Sequence, residues 1–504
     1  MTSSKSQQAP FARIVLSALA AAACALAVSC GGGGGSNNSN MAGGTTAQQV
    51  ASCDRGQPQS QITPPTTGNS VPVMIDSGPC AYGVPFGSPS GTSALVYVVN
   101  SANVPYTSVT ICTPGTTSCQ TIDHILVDTG STGLRLMSSV LSSAVTLPAI
   151  TVGGAPLIEC VQFADGYSWG SMRQADVHIA GETAANIPVQ VVGDSSAYTV
   201  PASCTGTSVT PLGPLNDVSS FGANGVLGVG LFDQDCGTGC VGNPSVGFYY
   251  ACPTVASCAG SVAALNQQTT NPVFAFAADA NGVADNNGVV LQFPALAPAT
   301  GASNVRGTLT FGINTRGNNS AATASVNTYV ADGYGDFFST ITTISTSSYT
   351  ITATPYGNSF IDSGSNGIYI PGTDIPGDTT THWFTPTVAA SNGLPADVII
   401  LGARQQGSLG GGYNTSGVMT SVPTGPINTF TFEIANANTV LFPSGTGNNN
   451  TFNGLSAASK GGTSETGGID WGLPFFLGKT IYIGLELQPI TVAGTAQTGP
   501  FWAY

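Results

Sequence analysis

The sequence predicts an all-β protein built as two similar lobes with a cleft between them, and three observations carry that expectation. A short motif occurs twice. Val127-Asp128-Thr129-Gly130-Ser131-Thr132-Gly133-Leu134 and Ile361-Asp362-Ser363-Gly364-Ser365-Asn366-Gly367-Ile368 align without a gap as hydrophobe-Asp-Thr/Ser-Gly-Ser-polar-Gly-hydrophobe. Each copy is followed by a glycine-bearing apolar segment at a similar distance, 228 − 128 = 100 residues to Gly228 and 472 − 362 = 110 residues to Gly472. The composition is that of short strands joined by turns, with 66 Gly and only 7% charged residues in 504. That length suits two large β lobes better than one core.

The charge balance removes one class of function. The formal net charge is −14, with 10 Lys+Arg. Little positive charge is available to neutralise phosphate, so no nucleic-acid partner is expected.

The N-terminal stretch is a processing segment. Lys5 and Arg13 precede an apolar run over 14–28 that ends in Ala27-Val28-Ser29-Cys30. A charged start, a short apolar core and small residues before the cut describe an export signal over 1–30. The cysteine makes it resemble a bacterial lipoprotein signal, with Cys30 as the lipidation site and the membrane as a partner through that anchor. Plain secretion and a spanning anchor are the alternatives; the run is short for a span. Gly31 stands where an Asp would favour the inner membrane, which points to an outer-membrane lipoprotein, periplasmic or surface-facing. Residues 31–68, rich in Gly, Ser, Asn, Gln and Thr, read as a flexible tether.

Beyond Cys24 and Cys30, ten cysteines run from Cys53 to Cys258. An even number in an exported chain implies disulfides. Connectivity is open, and local pairs are the simplest expectation: Cys53–Cys80, Cys112–Cys119, Cys160–Cys204, Cys236–Cys240 and Cys252–Cys258. Irregular spacings, with His124, His178 and His382 far apart, disfavour a metal site. No metal and no cofactor are expected. The second lobe, without cysteine, must rely on packing alone.

Strands are expected over 93–99 and 108–111, then into the first Asp loop. A hairpin follows over 157–192, with an aromatic tip from Phe163 to Gly170. Further strands are expected over 175–179, 189–192, 225–231, 272–276, 307–312, 337–341, 430–434 and 480–484. Residues 279–288 alternate Asp and Asn around Gly. This suits an Asx-rich turn better than a Ca²⁺ loop, because no closing Glu is present. Residues 403–415 and 443–469 read as loops. The lobes are placed at 69–315 and 316–504.

A repeated unit with an Asp at the same point of each copy brings two carboxylates together at a pseudo-twofold axis. Two such groups sharing one proton suit general acid-base hydrolysis. In this arrangement the sequence resembles the pepsin-like aspartic peptidases over roughly residues 93–490. Weaker features follow the family's order. Thr110-Ile111-Cys112-Thr113-Pro114 resembles its early turn, and the 163–172 tip resembles its flap. Gly225 to Gly230 and Gly472 to Phe476 resemble the segments behind its two Asp loops. Gly307 to Gly312 resembles a strand near its lobe crossover. The resemblance implies that Asp128 and Asp362 are the catalytic pair and hold a water between them. One carboxylate would take a proton from that water while the other, protonated, polarises a scissile carbonyl. The pair would titrate as a unit. Thr129, Ser131, Ser363 and Ser365 would fix the carboxylates, and Gly130 and Gly364 would permit the tight turns. A monomer acting on polypeptide substrates follows.

Two positions depart from the family pattern. The flap position nearest the family's Tyr is Phe163, which has no hydroxyl, and the position seven after Asp128 is Arg135, not Trp. Tyr167 or Trp169 would have to lie over the cleft instead, or else pack within the hairpin. Arg135 would select an acidic substrate group, tie down Asp165, or cap a strand end at the surface. The expectation is therefore a lipid-anchored aspartic endopeptidase. The alternative is a catalytically weak or inactive surface lipoprotein of the same fold with a binding role.

Overall fold

The computed structural model describes residues 62–79, 82–86, 94–98, 102–164, 166–206, 212–296, 301–344, 354–371, 375, 377, 383–387, 398–407, 412–413, 419–421, 425–441, 449–459 and 468–504. The export signal, most of the tether, Cys53, Cys80, Asp165 and His382 lie outside them, as do parts of the two expected loops.

Ser70–Ile75 alternates half-buried and buried side chains, placing Val71, Val73 and Ile75 in the core. It pairs antiparallel with Val305–Phe311, which pairs with Gly288–Gln292. The latter pairs with Thr480–Gly484, which continues through Phe501–Ala503 to Thr328–Val330. Strands from both halves of the chain thus build one antiparallel sheet. The boundary expected near 315 falls just after one of its strands.

The first half adds its own strands to this shared sheet, and the second half builds a separate seven-stranded sheet. In the first half, Pro105–Cys112, Cys119–Asp128 and Thr132–Met137 lead through the first Asp loop. Three long strands follow, Ala155–Gln162, Gly166–Ile179 and Glu182–Val192, paired in sequence. In the second half, Ile427–Ala435, Val398–Gln406, Phe337–Ile344 and Thr354–Ile361 lie side by side, and the sheet continues through Asp470–Trp471, Ile368–Ile370 and Ser456–Ala458.

The two halves share one unusual threading. Gly225–Val229 runs parallel to the strand entering the first Asp loop and antiparallel to the strand leaving it, with Gly228 opposite both Asp128 and Gly133. Asp470–Trp471 repeats this in the second half, parallel to Thr354–Ile361 and antiparallel to Ile368–Ile370. A segment inserted between the two arms of a loop fixes where the loop points. The glycines are steric requirements: a Cβ at Gly228 would stand 2.6 Å from Thr132 N, and one at Gly472 would stand 2.0 Å from Gly367 O.

A single apolar cluster runs from Val71 to Trp502 through both halves. In the second half, aromatic packing takes the place of cross-links. Trp471 lies 5.0 Å from Phe430 and 5.4 Å from Phe475, which meets Tyr504 edge-on at 5.0 Å. The buried Trp471 indole donates to Ser339 Oγ at 2.9 Å.

Four of the expected local disulfides are formed: Cys112–Cys119, Cys160–Cys204, Cys236–Cys240 and Cys252–Cys258. The two expected loops are interrupted, since Val398–Gln406 carries a strand through 403–406 and Ser456–Ala458 forms one within 443–469. One strand expectation is also corrected. Residues 272–275 form turns, because Asn271 Oδ1 accepts from Val273 N at 3.1 Å and closes an Asx turn around Pro272, and Phe276 makes an isolated bridge to Ala184. Its apolar pattern reflects burial of Val273 and Phe276, not a pleat.

The disulfides differ in expected weight. Cys160–Cys204 spans 44 residues and Cys236–Cys240 spans 4. Replacing the first pair by Ala should cost about 4 kcal/mol by loop entropy, and the second about 2 kcal/mol. Denaturant unfolding of the two double variants checks the order; equal losses would contradict it.

Candidate active site

The two Asp loops meet through their second residues. Thr129 Oγ1 donates to Ile361 O at 3.0 Å and accepts from Ser363 N at 2.9 Å. Ser363 Oγ donates to Val127 O at 2.7 Å and accepts from Thr129 N at 3.1 Å. All four bonds cross from one half to the other. Thr129 and Ser363 were expected to fix the carboxylates. They instead clasp the opposite loop, which their position at the shared axis allows.

The carboxylates are held by the next residues. Asp128 Oδ1 accepts from Gly130 N at 2.8 Å, and Ser131 Oγ donates to Asp128 Oδ2. Asp362 repeats this, with Gly364 N to Oδ1 at 2.7 Å and Ser365 Oγ 2.9 Å from Oδ2. The glycines do more than shape turns. A Cβ at Gly130 would stand 2.5 Å from Asp362 Cγ, and one at Gly364 would stand 2.6 Å from Asp128 Oδ1. Each glycine is where the opposing carboxyl passes.

The carboxyls of Asp128 and Asp362 face each other, each reaching the glycine of the opposite loop. Two like charges this close in a buried site do not both ionise, so one of the carboxyls is protonated. Burial, the Asp128 carboxyl beside it and Asp470 hold Asp362 well above the usual carboxylate range. The arrangement is a buried acid-base pair at an approximate twofold axis, able to activate a water on one carboxyl while the other donates a proton.

Asp470 was not singled out from the sequence. Its carboxyl Oδ2 lies 2.5 Å from Ser365 Oγ, and the residue is 5% exposed. A signal was present: the paired registers place Ile361 beside Trp471 as Val127 lies beside Leu227, so Asp470 occupies the place of Val226.

Arg135 is 2% exposed, which corrects its expected place at the cleft or surface. Its guanidinium donates to Glu159 Oε1 at 2.7 Å, Asp235 Oδ2 at 2.9 Å and Thr132 O at 2.7 Å. Tyr249 donates to Asp235 Oδ1 at 2.7 Å, and Thr269 donates to Glu159 Oε2 at 2.9 Å. Burial and the neighbouring Glu159 push Asp235 up, while the Arg135 charge and the Tyr249 hydrogen bond act against them. This network braces the strand leaving the first Asp loop. Glu159 and Asp235 gave no sequence signal, since they lie 24 and 100 residues from Arg135.

The hairpin aromatics pack inside the first half. Trp169 lies 5.4 Å from Tyr250 and is buried with Ile158 and the half-cystine Cys160. Tyr167 belongs to the same cluster. Phe163 meets Phe221 edge-on at 5.5 Å. The expectation that Tyr167 or Trp169 lies over the pair gives way to the packing alternative. Among the described residues, none of the three bonds to either Asp.

The Asp/Asn-rich stretch at 279–288 is the expected Asx turn. Asp279 Oδ1 accepts from Asn281 N at 2.8 Å and Val283 N at 3.0 Å. Arg316 supplies the positive charge there, 2.5 Å from Asp285 Oδ2 and 3.1 Å from Asp279 Oδ2.

Two halves of all-β structure, each presenting an Asp loop threaded by a glycine segment and joined by a shared sheet, define a protein of bilobal, pepsin-like architecture. The chain belongs to the family described as "Protein of unknown function (DUF3443)", which it matches over residues 91–406 and 413–504. No curated protein matches the chain. Among solved structures it is similar to an aspartic proteinase from Irpex lacteus, at 15% identity and a TM-score of 0.44, over 86% of this chain and 96% of that one.

Two outcomes follow from this geometry. Thr129→Val removes a donor and an acceptor and orphans Ser363 N–H and Ile361 C=O, which should cost on the order of 2–4 kcal/mol, while Thr129→Ser stays near wild type. Denaturant midpoints check this; equal stability of both variants would contradict the crossed bonds. Stability should also fall from acid to neutral pH. Burial and Asp285 raise Glu182 to about 7, and burial and Glu486 raise Asp233 to about 7. Burial opposes charge on His124, yet Asp123 and Asp76 raise it to about 9. Each group binds its proton more tightly folded than unfolded. Its contribution is complete below the ordinary value and is lost as pH rises through the raised one. The melting temperature should therefore be higher at about pH 4 than at about pH 7.5, and a rise over that interval would contradict the assignment.

Proposed function

We propose that this chain is an aspartic-type endopeptidase. Asp128 and Asp362 bind a water between them. The ionised carboxyl takes a proton from the water as it attacks the scissile carbonyl carbon. The protonated carboxyl donates to the carbonyl oxygen, giving a neutral tetrahedral diol. Proton transfer to the amide nitrogen then lets the C–N bond break, with no covalent enzyme intermediate. The observation that carries this reading is the facing Asp128–Asp362 pair, positioned by reciprocal bonds between two matched loops. The resemblance of both motifs to the pepsin-like peptidases supports the same chemistry. The segment over 1–30, ending at Cys30, supports export and lipid anchoring at the outer membrane, with the catalytic domain on a tether.

A second reading, a binding protein with weak or no turnover, is favoured by one specific observation. The aromatic residues of the hairpin tip pack into their own half, and Arg135 is locked in a buried network.

The test is cleavage of an unfolded protein by the disulfide-bonded soluble domain from about pH 3 to pH 7, the range in which such pairs titrate. Wild type is expected to cleave and to be blocked by pepstatin. Asp128→Asn and Asp362→Asn should each lose at least about a thousandfold in kcat/KM, since each removes one partner of the acid-base pair. A folded wild type that cleaves nothing at any pH would overturn the peptidase reading in favour of binding.

A further inference from the structure

The site contains a third carboxyl whose protons can be counted. Ser365 Oγ stands 2.9 Å from Asp362 Oδ2 and 2.5 Å from Asp470 Oδ2. A hydroxyl carries one proton. It can donate to only one of these oxygens, so the other carboxyl must donate to it. One proton therefore resides on Asp362 or Asp470 beyond that of Ser365. Asp128 and Asp362, buried and facing each other, do not both ionise. With the bridging proton on Asp470, the three carboxyls hold two protons and one negative charge.

The other oxygen of Asp470 points to the same conclusion. Asp470 Oδ1 is buried and has no hydrogen-bond partner. An ionised carboxylate with a bare buried oxygen is costly, whereas a neutral carboxyl is far less so. Asp128 and Asp362 face Asp470 from the two loops. On Thr354–Ile361 its neighbour in register is Phe360. On Ile368–Ile370 it is Tyr369, whose hydroxyl donates to Asn366 Oδ1 at 2.6 Å. No cation among these groups compensates Asp470. Burial and Asp128 accordingly hold its carboxyl well above the ordinary range, against the opposing Ser365 bond.

The pseudo-twofold repeat sharpens the point. The first half places Val226 where the second places Asp470, and both are buried. Position alone therefore tolerates an apolar side chain, and the carboxyl is an addition on one side of the pair.

We propose that Asp470 is a positioning residue for the hydrolysis, holding the proton complement of Asp362 through Ser365 so that the reacting pair keeps its shared proton at less acid pH. The exchange balances. As the Asp470 Oδ2 proton passes to Ser365 Oγ, the Ser365 proton passes to Asp362 Oδ2, and negative charge moves from Asp362 to Asp470. No other reactant is required. This role rests on the peptidase reading, but the proton array itself exists with or without turnover.

The experiment compares kcat/KM against pH for wild type, Asp470→Asn and Asp470→Val, the last copying the first half in case the amide disturbs folding. The basic limb of both variants should move down by about one pH unit, because the proton that Asp470 holds is no longer exchanged with Asp362 through Ser365 and the charge left on the pair is no longer spread onto a third carboxyl. A merely structural role would lower activity evenly at all pH values and leave the limb in place, which would overturn the proposal. If wild type cleaves nothing, the peptidase reading fails separately. The array is then read by the ¹³C NMR titration of the Asp362 carboxyl carbon in the same folded proteins. A midpoint that falls on replacing Asp470 supports the array, and an unchanged midpoint overturns it.

Discussion

The four hydrogen bonds that cross between Thr129 and Ser363 are the constraint on which the site depends. Two buried carboxylates repel, and nothing in an isolated loop would bring them together. The clasp does so by pairing main chain of one half with a side chain of the other. It leaves Ser131 and Ser365, two positions on, free to bind the carboxyls themselves. The absence of side chains at Gly130 and Gly364 then lets each carboxyl approach the opposite loop. A shared sheet holds the halves in the register that this clasp requires.

The halves solve the same problem by different means. The first braces its loop with the buried Arg135 network and stiffens its outer strands with disulfides. The second uses aromatic packing around Trp471, close behind the Asp362 loop. A buried ion network fixes direction, because each charge tolerates few alternatives. An aromatic cluster fills volume but leaves nearby polar positions available, and Asp470 uses one of them next to Trp471. The pair is therefore symmetric in its backbone and asymmetric in its proton supply.

Much of this was legible in the chain. Asp128 and Asp362 announced themselves because the motif repeats, and a repeat is local information. The glycines at 228 and 472 were legible for the same reason. Four of the disulfides were readable as pairs of cysteines that follow one another in the chain. The Arg135 partners were not, since Glu159 and Asp235 are joined to it by folding alone. The hairpin aromatics misled because an aromatic at a tip reads the same whether it faces substrate or its own lobe. The stretch at 272–276 misled because apolar residues buried in consecutive turns mimic a strand. Asp470 was within reach, through a register comparison with Val226, but only once the glycine segments were aligned with each other as well as the Asp loops.

The central claim is that two carboxyls from two halves share a proton at the axis between them. Neutron diffraction from deuterium-exchanged crystals near neutral pD reads that proton directly. The account predicts deuterium density between Asp128 and Asp362, with the Thr129 and Ser363 hydroxyl deuterons directed at Ile361 O and Val127 O. Two bare carboxylates, or hydroxyl deuterons directed at the carboxylates of their own loops, would contradict it.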